Sequence, residues 1–85
     1  MIEIIKIVRH CENFHNKSLI KKMIFGMEFH IPSDCKFVVV DKLGVVFAFK
    51  SRPELKGTWK SKKEEPFPVA IVKYSGDIKD SLIEI

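Results

Sequence analysis

Cysteine is scarce in this chain. Its 85 residues hold two, Cys11 and Cys35, too few for a disulfide scaffold. With no leader sequence, both are expected as free thiols in a reducing compartment. The opening MIEIIKIVRHCE starts apolar, but Glu3 and Lys6 interrupt it and no small-residue cleavage site follows, which excludes a signal peptide. No stretch approaches the roughly 18 apolar residues of a membrane helix. Glycine is also sparse: four residues, scattered, leave no phosphate-cradling loop. There is no Cys-x-x-Cys. His10, Cys11 and His15, even with Cys35, lack zinc-ligand spacing, so no metal and no cofactor is expected. His30, beside Ile31-Pro32, reads as a connector residue. The same groups supply the residue types of Cys–His catalysis but no argued base or oxyanion hole. Ser75 and Ser81 with Asp77 and Asp80 form no triad. A non-enzyme is expected. Internal repeats and low-complexity segments are missing as well.

What is present fits one domain, residues 1–85, with a small core and marginal stability. The net charge is +4, and it is uneven. Between Lys42 and Lys63 stand seven cations (Lys42, Lys50, Arg52, Lys56, Lys60, Lys62, Lys63) against Glu54 alone, while the tail is acidic. A local basic patch favours an anionic partner; the plainer reading is a solubilising surface.

The most legible stretch is Lys36 to Lys50, KFVVVDKLGVVFAFK. Two apolar runs flank Asp41-Lys42-Leu43-Gly44, which predicts a β-hairpin closed by a type I turn and a glycine at positive φ. Val45, Phe47 and Phe49 share one face; Val46, Ala48 and Lys50 share the other. Both faces are largely apolar. The density of β-branched residues in 2–9 favours a strand over a helix. Leu19, Ile20, Met23, Ile24 and Met27 recur at helical spacing and predict an amphipathic helix over 14–25, ended by Gly26. Residues 28–35 read as a connector and 51–67 as a loop punctuated by Pro53, Gly57 and Pro66. Val69 to Tyr74 predicts a further strand. Asp77 is placed to cap a short helical turn, and Leu82, Ile83 and Ile85 to pack back as an extended tail.

The expected fold is therefore α+β: a small antiparallel sheet, the hairpin plus one or two further strands, packed against one amphipathic helix. One helix covers one sheet face. The other face calls for a second copy, a partner, or the folded-over termini, and this motivates a homodimer, a higher oligomer or a binding surface.

The candidate site is the basic segment: Lys50, Arg52, Lys56, Trp59, Lys60, Lys62 and Lys63. Cations beside a stacking ring suit a nucleotide or single-stranded nucleic acid. A tryptophan in such a segment is more often a core anchor that pins the loop to the sheet, and that is the favoured reading of Trp59. No helix-turn-helix or zinc-finger pattern is visible.

The run FVVVDKLGVVFAF, then RPEL, Trp59, and VAIVKYSGDIKDSL resembles small accessory proteins of tailed bacteriophages over residues 31–82. The matching positions are Ile31-Pro32, Asp41 and Gly44, Arg52-Pro53-Glu54, Trp59, and Asp80-Ser81-Leu82. Leu43 and Ile78 depart from the pattern, which has Asp or Asn and an aromatic there. The resemblance implies a phage protein working in the host cytoplasm. It carries no catalytic residues. With the two-sided hairpin, it motivates a host-takeover or counter-defence role by binding and inhibiting a host protein. The alternative is an oligomeric binder of nucleotides or nucleic acid, for instance one that sequesters a nucleotide defence messenger through the Trp59 loop.

Overall fold

A computed structural model describes residues 2–7, 19–62 and 66–85. Among these, the chain is built of antiparallel strands. A five-stranded sheet has the order β1-β8-β5-β4-β9: β1 is Ile2–Ile7, β4 Phe37–Val40, β5 Val45–Phe49, β8 Phe67–Tyr74 and β9 Ile83–Glu84. Two ribbons accompany it, β2 (Leu19–Ile24) with β3 (Met27–Pro32), and β6 (Glu54–Lys56) with β7 (Thr58–Lys60). The described residues contain no α-helix, only a 3₁₀ turn at Ile78–Asp80.

The α+β expectation is thus overturned. The residues assigned to its helix from position 19 onward form β2, and 14–18 lie outside the described residues. The physical reason is that a spacing of four is an even number. Ile20 and Ile24 share a face in a helix and equally in a strand, so that pair cannot separate the two periods. The deciding signal lies downstream in MEFHIP, the supposed connector: Phe29 and Ile31 are fully buried while Glu28 and His30 are exposed. That is strand alternation. Phe25 and Gly26, both at positive φ, make the two-residue turn between β2 and β3. Gly26 ends a strand here, not a helix.

The β4–β5 hairpin forms in the expected register, from Phe37 opposite Phe49 to Val40 opposite Val46. Asp41 closes it. Its backbone carbonyl accepts from Gly44 N–H at 3.0 Å, and its Oδ1 accepts from the N–H groups of Leu43 and Val45, each at 2.9 Å. Gly44 sits at φ 84° and its carbonyl accepts from Val72 N–H at 2.8 Å, so the turn is docked onto β8. On one face Val38, Val40, Val46 and Ala48 pack with the β8 residues and with Ile24, Phe29 and Ile31 of the β2–β3 ribbon. A bulge opposite Val46 and Phe47 lets neighbouring Val69 and Ala70 both enter this cluster. On the other face Val39 and Phe49 pack with Trp59, flanked by Phe37, Phe47 and Leu82.

Both apolar faces are therefore covered from within the chain. The second is closed by the β6–β7 ribbon with help from the tail. β1, a strand as expected, joins the sheet edge-on beside β8, where it lengthens the sheet instead of layering over it.

Gly44→Ala tests how far the fold depends on the docked turn. A Cβ at Gly44 would run into the Val72 carbonyl oxygen, and its φ is one L side chains avoid. Gly57, at φ 73°, has open space around it. Gly57→Ala is expected to cost ~1–2 kcal/mol, the backbone term alone. Gly44→Ala should cost at least ~3 kcal/mol, because steric overlap adds to that term. Urea unfolding of the two variants measures the difference, and equal midpoints would show that the docking is unimportant.

Candidate binding site: a basic ribbon pinned by Trp59

The ribbon that carries the basic cluster pairs Glu54 with Lys60, Leu55 with Trp59, and Lys56 with Thr58. What the sequence presents as a loop is a strand pair. Pro53 and Trp59 are buried; Arg52, Glu54, Lys56, Lys60 and Lys62 are exposed, and so is Leu55, the partner of Trp59 across the ribbon. Trp59 anchors one side of the ribbon, and the other side carries the charge.

Trp59 holds the core side in place. It is 8% exposed, packs on Val39 and Phe49, and its Nε1 donates to the Val40 carbonyl at 3.0 Å. A buried indole N–H needs such a partner. Val40 offers one because β9 stops short of it: β9 pairs only with Phe37 and Val38. Continuing that register would bring Ser81 opposite Val40, and the Ser81 hydroxyl takes over the ladder. It is fully buried and accepts from Val40 N–H at 2.9 Å. For its one proton it has the Ile78 carbonyl at 2.6 Å and the Val40 carbonyl at 3.2 Å. Asp77 caps the 3₁₀ turn that presents Ser81, its Oδ1 accepting from Lys79 N–H at 3.1 Å.

On the outer side Ser51, Arg52, Glu54, Lys56, Lys60, Ser61 and Lys62 line one open cleft of about 380 Å³. The Arg52 guanidinium stands 6.0 Å over the Phe37 ring, a cation–π contact that ties it to the same apolar face. Lys56 Nζ pairs with the Glu54 carboxylate at 3.3 Å. No aromatic or aliphatic residue lines the cleft.

Of the expected site residues, Arg52, Lys56, Lys60 and Lys62 are brought together. Trp59 lies in the core as their anchor, as the favoured reading has it, and the alternative of a stacking surface is set aside. Lys50 does not line the cleft and pairs with Asp34 at 3.3 Å. Lys63, like Glu64 and Glu65 after it, lies outside the described residues, as do His10, Cys11 and His15. Phe47 and Phe49 belong to the cluster beneath Trp59, and Tyr74 packs against the opposite one. The serines of the cleft were not anticipated; their positions at either end of the ribbon were the available signal. Among the described residues no group of His, Cys, Asp and Glu is arranged to hold a metal, and no helix is long and apolar enough to cross a membrane.

No family model, curated protein or solved structure matches the chain.

Two variants probe the junction at Val40. Ser81→Ala leaves the Val40 N–H buried without its acceptor and should cost ~1–3 kcal/mol. Trp59→Phe removes the indole bond to the carbonyl of the same residue. Because both act through Val40, the double variant should depart from additivity by more than ~0.5 kcal/mol. Chemical denaturation of the four proteins measures the coupling, and strict additivity would mean that the two bonds are independent.

Proposed function

We propose that the protein is a non-catalytic binding module that holds an acidic surface of a partner protein against the outer side of the β6–β7 ribbon. In this reading the setting is the one the resemblance implies. A tailed-phage accessory protein, in the host cytoplasm, binds a host protein and blocks it. The observation that supports the reading is that four cations separated in sequence line one cleft. The burial of Trp59 counts against the nucleotide alternative, which relied on that ring for stacking. A cleft of charge and hydroxyls without an aromatic suits carboxylates better than bases.

The ribbon makes such a module by separating two tasks. Its inner side fixes position through Trp59, so the cations are held on a defined surface and a partner does not have to order a loose loop. Its outer side supplies charge, which governs encounter rate and the exclusion of like-charged partners more than raw affinity.

The test starts from immobilised protein in host lysate. It is expected to retain one host protein at stoichiometric level, with affinity that falls on raising salt. Arg52→Gln, Lys60→Gln and Lys62→Gln should each weaken the isolated complex about two- to fivefold, and Lys50→Gln should leave it unchanged. Recovery of no stoichiometric partner would sink the proposal, and so would equal loss from Lys50→Gln and Lys60→Gln.

A further inference from the structure

The atoms around Val40 decide what happens when Trp59 leaves it. Along β6 and β7, Glu54, Leu55, Lys56 and Lys60 are exposed and Thr58 is half-buried; Trp59 is the one buried strand residue of the ribbon. The strand pairing of the ribbon runs between β6 and β7 themselves. It meets the sheet through the indole, through buried Pro53 just before β6, and through Arg52 over the Phe37 ring. The cluster on the opposite face is built by residues of β2, β3, β4, β5 and β8 with Cys35, so that part of the core stands without the ribbon. A segment with few buried contacts is where a fold opens short of global unfolding.

Such a segment opens readily only if it leaves no buried polar group unpaired. The group at risk is the Val40 carbonyl, which loses the indole N–H. A second donor is already beside it. The Ser81 hydroxyl lies 3.2 Å from the Val40 carbonyl and 2.6 Å from the Ile78 carbonyl, with one proton to donate. The shorter contact holds that proton on Ile78 while Trp59 occupies Val40. Ile78 does not depend on it, because its carbonyl also accepts from Ser81 N–H at 3.0 Å. Rotation of the hydroxyl moves the proton to Val40 and leaves Ile78 with its backbone bond. Ser81 Oγ goes on accepting from Val40 N–H throughout.

We infer that the β6–β7 ribbon is a flap latched by Trp59, and that the Ser81 hydroxyl is the substitute donor that lets it swing off while the sheet stays folded. Opening withdraws the indole from Val39 and Phe49 and uncovers the face that holds Phe37 and Phe47. It also dismantles the cleft, because Lys56 and Lys60 ride on the ribbon. The closed form presents cations and the open form presents aromatic surface. This holds whatever the cleft binds.

Native-state hydrogen exchange of the full chain, followed by NMR, tests the flap. Two protons are compared: the Trp59 indole N–H, and the Val72 amide N–H, which bonds the Gly44 carbonyl at 2.8 Å within the sheet. The indole is expected to be protected about 100-fold less than Val72, with a weaker response to denaturant. Ser81→Ala should then move two readouts in opposite directions. The urea midpoint falls, because Val40 N–H loses its acceptor. The indole nevertheless exchanges about fivefold or more slowly, because the open form now leaves the Val40 carbonyl unpaired. A merely structural role for Ser81 would speed the indole instead. If Ser81→Ala does not fold, Ser81→Cys, with a weak thiol donor of similar size, is measured in its place, and the same slowing is expected. Equal protection of the indole and Val72 would mean that ribbon and sheet open together, and it overturns the flap. Unchanged or faster indole exchange in the Ser81 variant overturns the substitute donor.

Discussion

The backbone of Val40 is where this small fold is tied together. A strand in the interior of a sheet has its N–H and C=O groups satisfied by neighbours on both sides. β4 has a full neighbour in β5, but β9 is two residues long and reaches only Phe37 and Val38. The peptide groups of Val40 on that side would be buried and unpaired, at a cost of roughly 1–3 kcal/mol for each such group. Two side chains from distant parts of the sequence supply what the short strand cannot. Ser81 serves the N–H from a 3₁₀ turn near the carboxyl terminus, and Trp59 serves the C=O from the β6–β7 ribbon. One residue thereby fixes both the tail and the ribbon to the central hairpin.

That arrangement accounts for how both faces of an apolar hairpin are covered in a chain of 85 residues. A core this small has little surface to spare. The β2–β3 ribbon covers one face with Ile24, Phe29 and Ile31; on the other, Trp59 packs on Val39 and Phe49, with Phe37, Phe47 and Leu82 partly buried around them. Of the positions that carry the phage-like pattern, Asp41 and Gly44 close the turn beside Val40, Trp59 and Ser81 bond to it, and Leu82 packs next to Trp59. Ile31 lies in the opposite cluster, and Arg52 and Glu54 line the cleft.

The sequence was legible where one local rule sufficed. The Asp41–Gly44 turn, the alternation of the two strands around it, the strand nature of 2–7 and the capping Asp77 all follow from residues close together in the chain. It was misleading where two periods coincide, as with Ile20 and Ile24. It was also misleading where proline and glycine punctuate strands as they punctuate loops. Pro32 ends β3, and Gly57 forms the tip between β6 and β7. The basic cluster was visible as composition, but its placement depended on seeing that Pro53 and Trp59 turn inward while Arg52, Glu54, Lys56, Lys60 and Lys62 stay exposed; parity alone does not give this, since Leu55 is exposed and Ser51 and Ser61 line the cleft. The role of Ser81 could not be read locally, since its partner Val40 lies 41 residues away.

The division between the buried Trp59 and the exposed lysines of the ribbon separates the candidate site from the support of the fold. An exposed lysine on the outer side of the ribbon can be replaced at small cost to folding; Arg52 differs, because its guanidinium stands over the Phe37 ring. Trp59 behaves in the opposite way. It does not line the cleft, yet its bond to Val40 and its packing on Phe49 fix the ribbon that carries the cations. A strand pair anchored on its inner side by Trp59 thus covers part of the core while its outer side gathers Arg52, Lys56, Lys60 and Lys62 on one surface. The inner pattern answers to the sheet, and the outer charge pattern is left free of it.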